Sequence, residues 1–176
     1  MARGEIDRIP EDMRWQVCSR LLAKLPLLYD ITYRPVVGDR YDALEHDIWI
    51  EMASEAKTLA DAFRLPRSTA EEVAGTLSVL GTVFFGRDFQ FEPLGGGEAR
   101  ASLRVRRCPF SAEADLLEID HAVLPDRCLA FTIPLVEALN PDYTLRYVRA
   151  ACAGDRGCEL KVLSRSEASA EDAAGA

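Results

Sequence analysis

The sequence predicts an α+β fold in which a four-stranded sheet, made of two β-hairpins, carries helices on one face. Two changes in hydrophobic period support this class. Apolar residues recur at helical spacing up to Phe84 and again over residues 111–139, whereas they alternate with polar residues over 89–107 and 143–163. The predicted element order is therefore ααα-ββ-αα-ββ, in a single domain of residues 10–163.

Three helices are predicted ahead of the first hairpin. The first begins at Pro10, and Pro26 is expected to end or kink it. Its predicted core stripe is Met13, Val17, Leu21, Leu22 and Leu25, with Cys18 as a packing residue. The second helix, at about 41–63, is expected to bury Leu44, Ile48, Met52, Ala56, Leu59, Ala60 and Phe63. A capping box of Ser68 and Glu71 begins the third helix, which ends at Gly86.

The remaining elements follow from the alternating segments and from the apolar runs between them. The predicted strands are 89–92, 101–107, 145–151 and 159–163, and the predicted intervening helices are 111–122 and 126–139. Residues 1–9 are expected to be frayed. The tail 164–176, composed largely of Ser, Ala, Glu and Asp, is expected to be disordered.

Composition narrows the classes of partner. The chain has 176 residues and a net charge of -8, which argues against a general nucleic-acid binder because such proteins carry a basic surface. No apolar run approaches the roughly 20 residues that span a bilayer, and the first residues lack the apolar core of a signal peptide. We therefore expect a cytoplasmic protein that binds neither nucleic acid nor membrane.

Four of the five cysteines occupy suggestive positions. Cys152 and Cys158 flank the turn of the second hairpin, Cys108 ends the second strand, and Cys128 lies in a helix between the hairpins. If the third strand runs parallel to the second, Cys108 lies at the same end of the sheet as the hairpin pair; if it runs antiparallel, Cys108 lies at the far end. The first arrangement predicts a zinc site of these four thiolates, and the alternative is that they only pack in the core.

These cysteines also carry a resemblance to known families. Cys108-Pro109, Cys128 and the segment Cys152–Leu160 resemble the L-2-amino-thiazoline-4-carboxylic acid hydrolase-like family, as does the helix around Ile48–Lys57. The resemblance covers about residues 40–163 and implies opening of a thiazoline ring by water. The late cysteine hairpin is similar, more loosely, to 4-vinyl-reductase-type ligand-binding domains, in some of which cysteines and an acidic residue hold a zinc ion.

A mainly apolar pocket is predicted between the helices and the sheet, lined by Trp49, Leu103 and Val105. Arg104 or Arg106 is a candidate ligand for a carboxylate, because a guanidinium group suits a carboxylate; the alternative is that both arginines lie on the wet face of the sheet. Cys108 with His121 is a candidate nucleophile–base pair.

These observations favour a small-molecule-binding domain with cysteines, and with zinc as the expected cofactor if any, beside an apolar pocket. The alternative is a cysteine- or metal-dependent hydrolase of a small cyclic C–N or C–S substrate. The predicted partner is a small-molecule ligand, and the oligomeric state is left open between a monomer and a homodimer.

Overall fold

The computed structural model describes residues 6–175 of the chain. The helices are α1 (Glu11–Val37), α2 (Arg40–Ala62), α3 (Ala70–Phe85), α4 (Pro109–Leu117), α5 (Pro125–Leu139) and α6 (Arg165–Gly175). The strands are β1 (Gln90–Gly96), β2 (Arg100–Arg107), β3 (Tyr143–Arg149) and β4 (Cys158–Ser164). Short 3-10 turns occupy His121–Val123 and Ala151–Ala153. No helix within residues 6–175 is long and apolar enough to cross a membrane.

The sheet has the order β1-β2-β4-β3, and all neighbouring strands are antiparallel. Within residues 11–164, three helices precede the first hairpin and two lie between the hairpins, which confirms the predicted α+β class and element order. Because β2 and β3 both run antiparallel to β4, they point in the same direction. The end of β2 therefore lies at the same end of the sheet as the β3–β4 turn.

The core lies between one face of the sheet and the helices. Alternate residues of each strand face it, and on the central strands β2 and β4 these include Leu103, Leu160 and Val162, which are almost fully buried. Leu77 and Leu80 of α3 and Leu135 of α5 belong to the same apolar cluster. We call this the inner face of the sheet and the opposite one the outer face.

Helix α1 differs from the prediction in length and in orientation. It continues through Pro26 and Pro35 to Val37, because Ala23 and Leu27 pack on the core on either side of Pro26. The buried residues are Ser19, Ala23, Leu27 and Asp30, so the predicted core stripe is wrong: Met13, Val17, Leu21 and Leu25 are exposed. Cys18 is exposed as well and is not a packing residue.

Helix α2 also turns a different face inward. It buries Tyr41, Glu45, Trp49, Ala53, Ala56 and Ala60, whereas the predicted core residues Leu44, Ile48 and Phe63 are exposed. Small alanines let a neighbouring helix approach closely, and this contact with the core outweighs the larger apolar area of the exposed side chains.

The element ends show three further differences. The N-cap of α3 is Thr69, whose hydroxyl accepts from the Glu72 N–H at 3.2 Å, so the capping box lies one residue later than predicted. Helix α4 ends at Leu117 because Glu118 adopts a left-handed conformation, φ 55°. The tail, predicted to be disordered, forms α6 over residues 165–175; α6 packs on the outer face, where Arg146 bonds the Ala168 carbonyl and the Asp172 carboxylate.

Candidate functional site

An apolar cavity lies between the inner face of the sheet and the helices. Trp49 from α2, Phe85 from α3 and Phe131 from α5 form part of its wall, and Val105 and Leu160 line it from the sheet. The other lining residues are Phe89, Phe91, Cys108, Phe110, Arg127, Cys128, Thr132, Tyr147 and Cys158. Almost the whole surface of this cavity is therefore carbon or sulfur.

The aromatic side chains pack edge to face and nearly close the cavity. The ring centroids of Phe85 and Phe110 are 4.9 Å apart, and those of Phe85 and Phe131 are 5.5 Å apart at an interplanar angle of 84°. Trp49 meets Phe110 and Phe131 at 5.8 and 6.1 Å. The volume of the cavity is about 30 Å³. An engineered apolar cavity that binds benzene measures about 150 Å³, so a ring-sized ligand requires these side chains to move apart.

A short polar chain ends in the cavity wall. The Thr132 hydroxyl donates to the Cys128 carbonyl at 2.5 Å, which leaves the Thr132 oxygen to accept from the Tyr147 hydroxyl at 3.3 Å. Burial raises the pKa of Tyr147 well above its usual value, so this phenol is neutral and can donate a hydrogen bond. Tyr147 and Thr132 thus offer a ligand neutral hydroxyl groups rather than a charge.

Three of the four predicted cysteines, Cys108, Cys128 and Cys158, line the cavity, and the fourth, Cys152, is hydrogen-bonded to Cys158. That bond lowers the pKa of the Cys158 thiol to about 6, against the effect of burial, and raises the pKa of Cys152. The Ala151 N–H donates to the Cys158 sulfur at 3.2 Å. Burial raises the pKa of Cys128 to about 12 and also raises that of Cys108.

The donor chemistry suits zinc, but the thiols do not form a ready-made metal site. Over residues 6–175 no three His, Cys, Asp or Glu side chains are arranged so that they could hold one ion. Thiolates are the zinc ligands that the sequence predicted, and Cys108, Cys152 and Cys158 lie near the end of β2 and the β3–β4 turn, which share one end of the sheet. The zinc site stays a prediction that needs some adjustment of the side chains.

A buried charge network adjoins the cavity, and the sequence prediction missed it. Arg127, whose side chain is 2% exposed, donates from Nη2 to Asp30 at 2.5 Å and from Nε to Glu45 at 2.6 Å. Arg34 also bonds Asp30, at 2.7 Å, and Trp49 Nε1 donates to Glu45 at 3.4 Å. These groups join α1, α2 and α5 beneath the aromatic wall.

The signal for this network is present in the sequence. Arg127 lies four residues before Phe131 and eight before Leu135, and therefore on the core face of α5. Glu45 lies four residues before Trp49 in the same way. Charged residues on a predicted core face are seldom buried unless they are paired, so each of them implies a partner of opposite charge.

Several other predicted site residues lie elsewhere. Arg104 and Arg106 are on the outer face, because successive side chains of β2 alternate and Val105 between them faces inward. Both arginines pair with Glu92, and the Arg106 Nε atom lies 2.7 Å from the Glu92 carboxylate. The structure therefore does not bring either arginine to the pocket. Leu103 is buried in the core without lining the cavity.

His121 lies away from Cys108, with which it was predicted to pair. Its Nε2 is 2.9 Å from Asp115 Oδ1 at the surface, and His121 does not line the cavity. The pKa of Cys108 is raised by burial, whereas a thiolate nucleophile requires a lowered one. The predicted catalytic pair is therefore not assembled.

Comparison with known proteins gives a likeness of fold. No family model matches the chain, so the resemblance to the hydrolase-like family gains no support, and no curated protein matches it either. Among solved structures, the chain is similar to the phenol-responsive sensory domain of the transcription activator PoxR, crystallised with phenol. The TM-score is 0.56 at 12% identity, over 81% of this chain and 74% of that chain.

Proposed function

We propose that this chain is a sensory domain that binds a small, neutral ring compound in the aromatic cavity. The observation that carries the proposal is the cavity wall, in which six aromatic side chains surround a space that ends at the neutral hydroxyls of Tyr147 and Thr132. The similar fold of a phenol-responsive sensory domain gives further support. A ring would replace contacts among the aromatic side chains, and a hydroxyl on the ring would bond Tyr147 or Thr132.

The charges around the cavity favour a neutral ligand over an anion. Arg127 is the cation in the cavity wall, and it already faces the carboxylates of Asp30 and Glu45. With Arg34 also bonded to Asp30, the network holds two cations and two carboxylates, so a ligand carboxylate would meet no uncompensated positive charge inside a poorly solvated site. Attraction to Arg127 would not offset the free-energy cost of desolvating that carboxylate.

Calorimetric titration of the full chain with phenol, benzene and benzoate tests this proposal. We expect phenol to bind best, benzene to bind more weakly and benzoate to bind at least about tenfold more weakly than phenol, because one unfavourable charge in such a site costs more than about 1.4 kcal/mol. Binding should show a negative heat-capacity change, since apolar surface is buried. Benzoate binding more tightly than phenol, or no binding of any of the three, would contradict the proposal.

We also propose that Cys108, Cys128, Cys152 and Cys158 hold a structural zinc ion. The shared cavity wall of Cys108, Cys128 and Cys158, with Cys152 hydrogen-bonded to Cys158, supports this, and the ion would tie the β3–β4 hairpin to α5. Metal analysis of protein purified without chelator should give one zinc per chain. Cys128→Ser should lose it and Cys18→Ser, which alters the exposed cysteine of α1, should keep it; a wild-type chain free of zinc would refute the site.

The hydrolase alternative has less support than ligand binding. Cys158 has a lowered pKa, but its hydrogen-bond partners are Cys152 and the Ala151 N–H rather than a histidine. Burial raises the pKa values of Cys108 and Cys128, and His121 contacts Asp115 instead of a thiol. A thiolate nucleophile would need a nearby base or cation that lowers its pKa.

A further inference from the structure

Helix α1 is apolar on the side that faces away from the core. Its core-facing residues are Ser19, Ala23, Leu27 and Asp30. A second row of residues, which we call the outer stripe, lies two positions away in sequence and therefore roughly 200° around the helix. Each residue of the outer stripe is between 38% and 52% exposed. The stripe consists of Met13, Val17, Leu21, Leu25, Tyr29 and Tyr33.

Such a row differs from the scattered apolar residues that every protein surface carries. A helix that packs on a core by one face normally presents polar residues on the other. Here six large apolar side chains follow one another at intervals of four, over about 30 Å of helix. The Tyr29 and Tyr33 rings are 5.9 Å apart and continue the stripe at its end. An apolar surface this continuous indicates a binding surface.

The stripe has the size of an interface core. Large apolar side chains bury roughly 150–250 Å² each when aromatic and somewhat less when aliphatic, so six half-exposed ones offer about 500 Å². A stable interface buries about 800 Å² per partner, of which the rim is polar. Arg14 and Lys24, on either side of the stripe, are placed to supply part of that rim.

The order of residues along the stripe matches a second copy of itself. Leu21 and Leu25 are equally distant from Ala23, and so are Val17 and Tyr29, and Met13 and Tyr33. When two copies of α1 pack antiparallel about a two-fold axis level with Ala23, Leu21 therefore lies level with Leu25 of the other copy, and Val17 with Tyr29. The row turns about 40° around the helix at each step, so Met13 and Tyr33 lie at the two edges of this contact. A two-fold interface needs this self-complementarity, and rows with a spacing of four are the ridges of the commonest helix packing.

Charge favours the same arrangement. Helix α1 carries Glu11, Asp12 and Asp30 against Arg14, Arg20, Lys24 and Arg34, a net charge of +1, whereas the whole chain carries -8. Two copies thus approach by a side that is not acidic. The dipoles of the two antiparallel helices also attract each other.

We propose that the outer stripe of α1 is a homodimer interface in which two copies pack antiparallel about Ala23. This surface lies on the far side of α1 from the core and does not depend on ligand binding in the cavity. Ligand binding and dimer formation are therefore separate measurements, and either can fail without the other.

Sedimentation equilibrium of the full chain between about 1 and 100 µM tests the interface. We expect a dimer for the wild type, and for Leu21→Asp a dissociation constant raised roughly 100-fold, because the two-fold axis introduces the buried charge twice. The matched control is Phe63→Asp, which places the same charge at a more exposed apolar residue at the end of α2 and should remain dimeric.

Circular dichroism establishes that each variant is folded. If Leu21→Asp does not fold, Leu25→Lys makes the same test with the opposite charge at the symmetry-related position. A wild type that is monomeric at 100 µM would overturn the proposal, as would folded stripe variants that remain dimeric. Dissociation by Phe63→Asp would also overturn it, because the interface would then lie elsewhere.

Discussion

The two faces of the sheet use the same strands for different chemistry. On the inner face, Val105 and Leu160 line a cavity of aromatic rings and thiols. On the outer face, Arg104 and Arg106 pair with Glu92 in water, and α6 adds further ion pairs. Neighbouring residues of β2 thus belong to different surfaces, since successive side chains point to opposite sides. Ligand selectivity should follow the inner face alone, and the outer-face charges should matter little to binding or stability.

The largest expected difference between the two faces concerns their arginines. Arg127→Met removes one cation from the buried network, so that Glu45 loses its ion-pair partner and Asp30 keeps only Arg34, which should lower the free energy of unfolding by about 3–5 kcal/mol. Arg106→Met breaks only an exposed pair with Glu92 and should leave the free energy of unfolding nearly unchanged, because water screens such a pair. Urea titrations of both variants measure this; equal effects would mean that the inner network is no more important than the outer one.

Acid should reduce the effect of Arg127→Met. Burial raises the pKa of Asp30, but hydrogen bonds from Arg34 and Arg127 outweigh it and hold that pKa below its usual value. The folded pKa of Asp30 is depressed, so its contribution is present above its unfolded pKa of about 4 and lost as the pH falls through the folded value.

Without Arg127, the pKa values of Asp30 and Glu45 should rise, so both carboxylates become protonated in the folded variant at a higher pH than in the wild type. The stability gap between variant and wild type should then be widest near pH 7 and narrow towards pH 4. Unfolding free energies measured at pH 7, 5.5 and 4 test the sign; a gap that widens with acid would contradict the assigned ion pairs.

A smaller difference, in phenol affinity, is expected between substitutions of Val105 and of its neighbour Arg104. Val105→Phe fills the cavity from the sheet side and should weaken phenol binding at least tenfold, with overpacking that costs about 1–3 kcal/mol of stability. Arg104→Ala, on the other face of the same strand, should leave the phenol dissociation constant within about twofold. Calorimetry on both variants measures the contrast, and a loss of affinity in Arg104→Ala would place the ligand on the outer face.

The smallest effect is expected at Tyr147. Tyr147→Phe removes one neutral hydroxyl and should weaken phenol binding about two- to tenfold, the usual value of one hydrogen bond, without changing benzene binding. A parallel loss for benzene would mean that the substitution alters the shape of the cavity rather than one polar contact.

The sequence predicted the buried face of the sheet more reliably than it predicted the buried faces of the helices. Alternation of Ala101, Leu103 and Val105 with arginines predicted the inner face of β2, and that face is the one that packs on the core. The period of a strand leaves only two faces to choose between. A helix offers a continuous choice of faces, and large apolar side chains are a poor guide when the core is built from small ones.

In helix α1 the sequence pattern predicted the wrong face as the buried one. Leu21 and Leu25 were expected inside, yet Ala23 and Leu27 are buried, because the row of Ser19, Ala23, Leu27 and Asp30 has the smaller side chains and allows the closer approach. The charged network was missed for a related reason. Arg127 and Glu45 lie at core positions of their helices, but their partners come from different helices, and the sequence does not reveal such long-range pairs.

A structure of the full chain with phenol is the most direct test of the central claim, that the inner face holds the ligand. We expect the ring between Trp49 and Phe131, with these side chains moved apart, and the phenol oxygen within about 3.2 Å of the Tyr147 or Thr132 hydroxyl. Phenol bound among Arg104, Arg106 and Glu92, with the aromatic cavity still closed, would contradict the account.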